Sequence, residues 1–262
     1  MEPQLLTVEI SDRVARVTLN RPEVRNAFNA QLIEELQSTF RGISEGGYGE
    51  VRAVVLAGAG QSFCAGADVN WMRASLEFTH EQNVGDANRM AEMFEQIDRC
   101  PLPVIGRIQG TALGGGVGLA AVCDIVVAAD DAVWAFSEAK LGIAPAVISP
   151  FVLAKIGRSH ARALFLTAER FDSPRAQQIG LAHIVVPEKQ LDSEVERLLR
   201  EVKSSSAKAI SGAKGLISAV PTLAPTEARE LTVQTIAALR VSPDGQEGLR
   251  AFLEKRKPEW AG

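Results

Sequence analysis

Three short runs, residues 51–57, 104–108 and 125–128, are dominated by apolar side chains and lack the polar alternation of a half-exposed strand. Strands of that kind need cover on both faces, a condition met inside a mostly parallel sheet with helices packed against it. The stretches between them carry helical spacing. Asn29 reads as a helix N-cap, and Leu32, Ile33, Leu36, Phe40 and Ile43 follow on one face until Gly46-Gly47 ends the run. A second helix is expected over residues 81–97, stopped ahead of Pro101 and Pro103. Upstream, residues 5–10 and 14–19 read as two strands with a turn at Ser11-Asp12. The pattern is therefore strand-strand-helix, repeated.

Beyond Pro150 helical periodicity takes over, with helices expected at residues 151–156, 162–166, 174–179, 191–202, 207–219 and 226–239. No proline- or serine-rich linker separates the halves. The chain is read as an α/β core over residues 1–200 and a helical region over 201–262. Hydrophobic residues at 46% and charged residues at 23% suit a folded chain rather than a disordered one. A net charge of −4 gives no reason to expect nucleic acid as a partner.

The first residues, Met1 to Leu6, lack a basic stretch followed by a long apolar one, so no secretory signal is expected, and no run is long enough to cross a membrane. Cys64, Cys100 and Cys123 are odd in number and widely spaced, which suits a reduced cytoplasmic protein and offers no CxxC pair. His80, His160 and His183 show no ligand spacing, and no metal site is expected.

Two segments carry the chemistry. Ser62-Phe63-Cys64-Ala65-Gly66-Ala67-Asp68 follows an apolar strand and a glycine turn; Gly114-Gly115-Gly116 follows another strand and opens a small-residue helix. The first amides of a helix have no internal partners and lie at its positive end, so they suit an oxyanion. Either segment alone is most simply a tight turn. Together they resemble the crotonase (enoyl-CoA hydratase/isomerase) family. The likeness continues through Arg21-Pro22, Asn26-Ala27, Cys123-Asp124-Ile125, Glu138 with Leu141-Gly142, Leu166-Thr167-Ala168, Gly180-Leu181 and the terminal Phe252-Leu253-Glu254-Lys255-Arg256.

That resemblance implies a crotonase (ClpP-like) spiral of β-β-α units, with a C-terminal helical region that makes a homotrimer or a dimer of trimers. It implies an acyl-coenzyme A thioester as substrate and no separate cofactor, because coenzyme A is part of the substrate. The backbone N–H groups of Ala67 and Gly115 become the expected donors to the thioester oxygen, and Glu138 the expected proton carrier. A surface glutamate paired with Lys140 is the plainer alternative for Glu138. Substrate contacts are expected from Arg25, Ala65, Asp68, Val69, Asn70, Met72, Gly114, Gly118, Ser149, Phe252 and Lys255. Trp71, Met72 and Phe78 are acyl-pocket candidates that serve equally well as core. Cys64 reads as a buried small hydrophobe rather than a nucleophile.

The chain departs from the two-glutamate hydratases of that family at Gly118, where they carry their other carboxylate. Read as a missing group, it would be restored by Gly118→Glu. A single glutamate also suits a Δ3,Δ2-enoyl-CoA isomerase. The stretch Ile143-Ala144-Pro145-Ala146-Val147-Ile148-Ser149-Pro150 instead resembles hydratases acting on branched or carboxylated esters such as 3-methylglutaconyl-CoA. A non-catalytic acyl-CoA- or RNA-binding relative is a third reading, disfavoured by the presence of Glu138 with both glycine segments.

Overall fold

A computed structural model describes residues 4–261 of the protein. Met1, Glu2 and Pro3, part of the stretch read for a secretory signal, and Gly262 lie outside the described residues. Strands β1 (Leu6–Ser11) and β2 (Val14–Leu19) form an antiparallel hairpin. Its turn sits one residue later than expected, at Asp12-Arg13, both left-handed with φ of 49° and 62°. Helix α1 (Ala30–Ser44) is capped by Asn29, whose side chain accepts from Leu32 N at 2.8 Å. Then come β3 (Ala53–Gly58), α2 (Val69–Ser75), α3 (His80–Asp98), β4 (Val104–Ile108), β5 (Thr111–Leu113), α4 (Gly115–Val122), β6 (Ile125–Ala129) and β7 (Val133–Ala135). The rest is α5 (Ser149–Thr167), β8 (Arg170–Asp172), α6 (Ser173–Gln178), β9 (Ile184–Val186), α7 (Leu191–Ser204), α8 (Ala207–Ala219), α9 (Pro225–Val241) and α10 (Pro243–Leu253).

A six-stranded sheet runs in the order β1-β2-β3-β4-β6-β9, parallel from β2 onward. A smaller sheet runs β5-β7-β8. Each turn of the chain lays one strand in the large sheet and continues into the small one: β4 into β5, and β6 into β7. After β3 the continuation is an isolated bridge, Cys64 to Ala112. This is the expected spiral of β-β-α units.

The apolar runs are covered on both faces, as their composition demands. Val54, Leu56, Val104, Ile108 and Val126 join the larger core with Leu32, Leu36 and Phe40 of α1 and Phe94 and Ile97 of α3. Val55, Ile105 and Val127 point the other way, into a second core closed by Leu191, Val195 and Leu199 of α7. Residue 200 thus falls inside a helix that packs on the sheet.

The two helices expected across residues 151–166 are halves of α5, broken where Gly157 takes φ 66°. The last helices are different in kind: neither α8 nor α9 has a buried residue. Ile217, Val233, Ile236, Leu249, Phe252 and Leu253 are all exposed. Lys214 ties α8 to the body, donating to Asp124 Oδ2 at 2.7 Å and to Leu102 O at 3.1 Å. Among the described residues no helix is long and apolar enough to cross a membrane.

Candidate active site

Ala67 is placed by strand geometry. Phe28 N donates to Gly66 O at 2.7 Å and Asp68 N donates to Phe28 O at 2.8 Å, so the pairing uses the groups on either side of Ala67. Alternation along an extended chain turns the N–H of Ala67 itself to the opposite side, where it has no acceptor among the described residues. The neighbouring pairing, Cys64 N to Thr111 O and Leu113 N to Cys64 O, each 3.0 Å, draws this segment beside the start of α4. Gly115 is the first residue of α4, and its N–H likewise finds no acceptor among the described residues. Two free amides from segments nearly fifty residues apart in sequence thus border one cleft of about 410 Å³.

Glu138 opens a short 3-10 turn after β7 and lines the same cleft. Its carboxyl lies over Gly114, where an added Cβ would come within 3.1 Å of Glu138 Oε1. Gly114 also holds φ 50° and ψ −117°, a conformation that disfavours any side chain. Glu138 Oε2 is buried with no hydrogen-bond partner. Burial pushes its pKa above the ordinary glutamate value, opposed by a hydrogen bond from its own backbone. Lys140 is exposed, and among the described residues Glu138 makes no ion pair. The surface-pair alternative therefore does not hold.

Ala65, Ala67, Met72, Gly114, Gly115 and Glu138 come together in the cleft with Trp71. Other expected contacts do not. Asp68 is buried and bound to Arg21 at 2.7 Å, and its other oxygen accepts from Asn70 N to cap α2. It is a brace for the 62–68 segment rather than a ligand contact. Val69 and Asn70 are exposed on α2 outside the cleft, and Phe78 does not line it. Ser149 donates to Ala146 O at 2.7 Å and only flanks the lining residue Ile148. Arg25 is exposed beside the cleft, its carbonyl accepting from Ala65 N at 2.9 Å. Phe252 borders a separate concavity with Arg256 and Trp260, and Lys255 is exposed.

Gly118 requires the plainest correction. It does not line the cleft, and it is not an empty place for a carboxylate. A Cβ there would stand 2.3 Å from Ile148 Cγ2 and 2.9 Å from Phe94 Cζ. Cys64 is fully buried, which pushes its thiol up to about 12 and removes it as a nucleophile.

The sequence reading passed over Asn83 and Asp86 of α3, which also line the cleft. A signal existed: Asp86, Met90 and Phe94 recur at four-residue steps, so a carboxylate falls on the inward stripe of the helix.

Known proteins resemble this chain over nearly its whole length. Residues 9–262 match the sequence model described as "Enoyl-CoA hydratase/isomerase". A putative enoyl-CoA hydratase of Thermus thermophilus is 32% identical over 247 residues, covering 94% of this chain and 97% of that one. Among solved structures, Pseudomonas aeruginosa AtuE superposes with a TM-score of 0.96 at 34% identity, covering 99% of this chain and 100% of its own. A putative enoyl-CoA hydratase/isomerase (crotonase) of Legionella pneumophila gives 0.91 at 39% identity, with 98% of each chain covered.

Proposed function

Because this chain belongs to the enoyl-CoA hydratase/isomerase family, we propose that it reversibly adds water to a 2-enoyl-CoA, with Glu138 moving the proton at the α-carbon. The observation that carries this reading is the half-buried Glu138, whose Oε2 is buried without a hydrogen-bond partner, in one cleft with the free amides of Ala67 and Gly115. Those amides receive the thioester oxygen as it gains charge, each contributing about 3 kcal/mol to the transition state. Charge drawn onto that oxygen opens the β-carbon of the conjugated ester to attack, and the enolate that results has a basic α-carbon. Nothing in this scheme calls for a metal or redox group; coenzyme A belongs to the substrate.

For the acyl group we propose a branched chain of the 3-methylglutaconyl type. Its support is the resemblance of residues 143–150, of which Ile143 to Ile148 all line the cleft. No Lys, Arg or His lines the cleft among the described residues. The substrate panel therefore pairs 3-methylglutaconyl-CoA with its uncharged counterpart 3-methylcrotonyl-CoA, alongside crotonyl-CoA and a 3-enoyl-CoA. Products are resolved by mass. Gain of water on a 2-enoyl ester supports hydration; unchanged mass with a shifted double bond would assign isomerisation, which Gly118 favours by offering no second acid. Preference for 3-methylcrotonyl-CoA would assign an uncharged chain.

The assembly we propose is a trimer or a dimer of trimers. The exposed apolar side chains of α8, α9 and α10 support it, since such a surface needs a partner. In that assembly Phe252 and Lys255, which lie off this protomer's own cleft, serve the coenzyme A of a neighbour, while Arg25 meets the phosphates of the coenzyme A bound at its own cleft. Sedimentation at micromolar concentration is expected to show at least a trimer, and a monomer would overturn the assignment. The three buried, unpaired cysteines support a reducing, cytoplasmic setting.

A further inference from the structure

Addition of water to a double bond moves two protons, one onto the α-carbon and one off the attacking water, and a separate positioned carrier for each lets both moves run together. Glu138 supplies one. Gly118 supplies nothing, and its side-chain space is occupied by Ile148 and Phe94. Among the described residues lining the cleft there is one other carboxyl group, that of Asp86.

Asp86 stands where a helix built for packing alone would place an apolar residue. It is 9% exposed, on the stripe continued by Met90 and Phe94. Burying a carboxylate is costly unless it is paired. Its one ion pair is to Arg89, whose Nη2 meets Oδ1 at 2.8 Å. The arginine side chain is 58% exposed and the aspartate side chain 12%, so the cation stands outside and the carboxylate inside. Oδ2 receives no hydrogen bond from the described residues. One turn earlier, Asn83 Nδ2 donates to Phe78 O and Thr79 O at 3.3 and 3.1 Å, which leaves Oδ1 as the amide's free acceptor. Acceptors are what a nucleophilic water needs: they hold its hydrogens and leave a lone pair free.

We propose that Asp86 is the second proton carrier, the carboxylate that holds the attacking water and takes its proton. The assignment rests on the hydration reading above. Water's oxygen bonds the β-carbon, the π pair of the double bond moves toward the thioester carbonyl, and one water proton passes to Asp86. Collapse of the enolate then draws the proton of Glu138 onto the α-carbon. The substrate has gained one H and one OH. Asp86 returns its proton, by way of solvent, to Glu138 for the next turnover.

Two reactions of the full-length protein separate this role from mere support of the cleft. One is hydration of the preferred 2-enoyl-CoA. The other is exchange of the α-hydrogens of a saturated acyl-CoA with D₂O, which needs the amides and Glu138 but no attacking water. Asp86→Asn is expected to lower hydration kcat by about 100-fold or more with KM changed little, while α-exchange falls far less. Asp86→Ala should behave alike, and each variant's melting curve confirms that it folds. Hydration by Asp86→Asn within about fivefold of wild type would overturn the proposal, as would equal loss of hydration and exchange in both variants. A wild-type protein that hydrates no enoyl ester would instead bring down the hydration reading itself.

Discussion

Glu138→Gln is expected to lower turnover on the best enoyl-CoA by about 10²–10⁴-fold, the range of a lost general acid–base group, with ester affinity nearly intact. Glutamine keeps the size and the hydrogen-bonding reach of the side chain and removes only the titrating group. Because ground-state binding falls to the apolar walls and to the amides of Ala67 and Gly115, the loss should appear in kcat rather than KM. The same variant has an opposite expected effect on stability. Burial raises the Glu138 pKa in the folded protein, so the folded state keeps a proton that the unfolded chain releases. Wild-type stability therefore declines as pH rises from the ordinary glutamate value through the raised one. The glutamine side chain does not titrate and carries no such dependence. The melting temperature of the variant relative to wild type should thus climb as pH rises from the ordinary glutamate range through the raised one. Full activity in the variant would remove Glu138 from the chemistry. A melting difference that falls with pH would contradict the upward shift that burial imposes on Glu138.

Gly118→Glu is expected to unfold or badly loosen the protein and to restore no hydration. A single added methylene in a packed core costs about 1–3 kcal/mol, and here even the first atom would lie 2.3 Å from Ile148 Cγ2. Phe94, the other neighbour, cannot swing aside freely. Its ring packs edge-on to Phe28 at 6.2 Å between centroids and against Phe151 at 6.0 Å. Pushing Phe94 presses on Phe28, the residue whose backbone pairs with the 66–68 segment and aims the Ala67 amide. A buried carboxylate without a partner would add its own penalty. Gly118→Ala isolates the steric part and should already lower the melting temperature by several degrees, about 2–4 °C per kcal/mol. A stable Gly118→Glu variant that hydrates crotonyl-CoA would show that the space is adaptable and that the single missing group was the main difference.

The parts of the fold that were readable from sequence are those where burial leaves a periodic mark. Leu32, Ile33, Leu36, Phe40 and Ile43 are all buried on α1, and the three apolar runs are the central strands. What escaped notice lacks such a mark. Strands β5, β7 and β8 have three residues each, too few to show alternation. Helix α2 buries none of its residues and is announced only by its cap, Asp68. Helix α10 holds Pro243, Gly245 and Gly248, which read as loop, although Pro243 is an allowed first-turn residue.

At the site, the glycine run and Glu138 were found because strand-to-helix turns and a long ordered resemblance point to them. Asp68 was misjudged because a polar residue next to a ligand-facing amide looks like a ligand contact, whereas its partner Arg21 lies 47 positions away. Asp86 is easily passed over because a charge inside an amphipathic helix is normally a solvated one; only its four-residue spacing from Met90 and Phe94 marks it as inward. Gly118 misled in the reverse sense, since the absence of a side chain says nothing about what fills the space.

The division of labour within the cleft has a consequence for how such a protein changes over time. The two amides proposed to face the thioester are main chain, held by strand pairing at Phe28 and Cys64 and by the first turn of α4. Proline alone among substitutions deletes such an N–H; every other replacement can only shift it. The rest of the cleft, proposed to take the acyl chain, is bounded by side chains of α2, α3 and residues 143–148, among them the pliable Met72 and Met90. Random mutation therefore samples new acyl chains far more readily than it loses the ability to make an enolate. Selection can retune the substrate residue by residue along α3 and the 143–148 loop, and directed evolution toward a new ester should begin there.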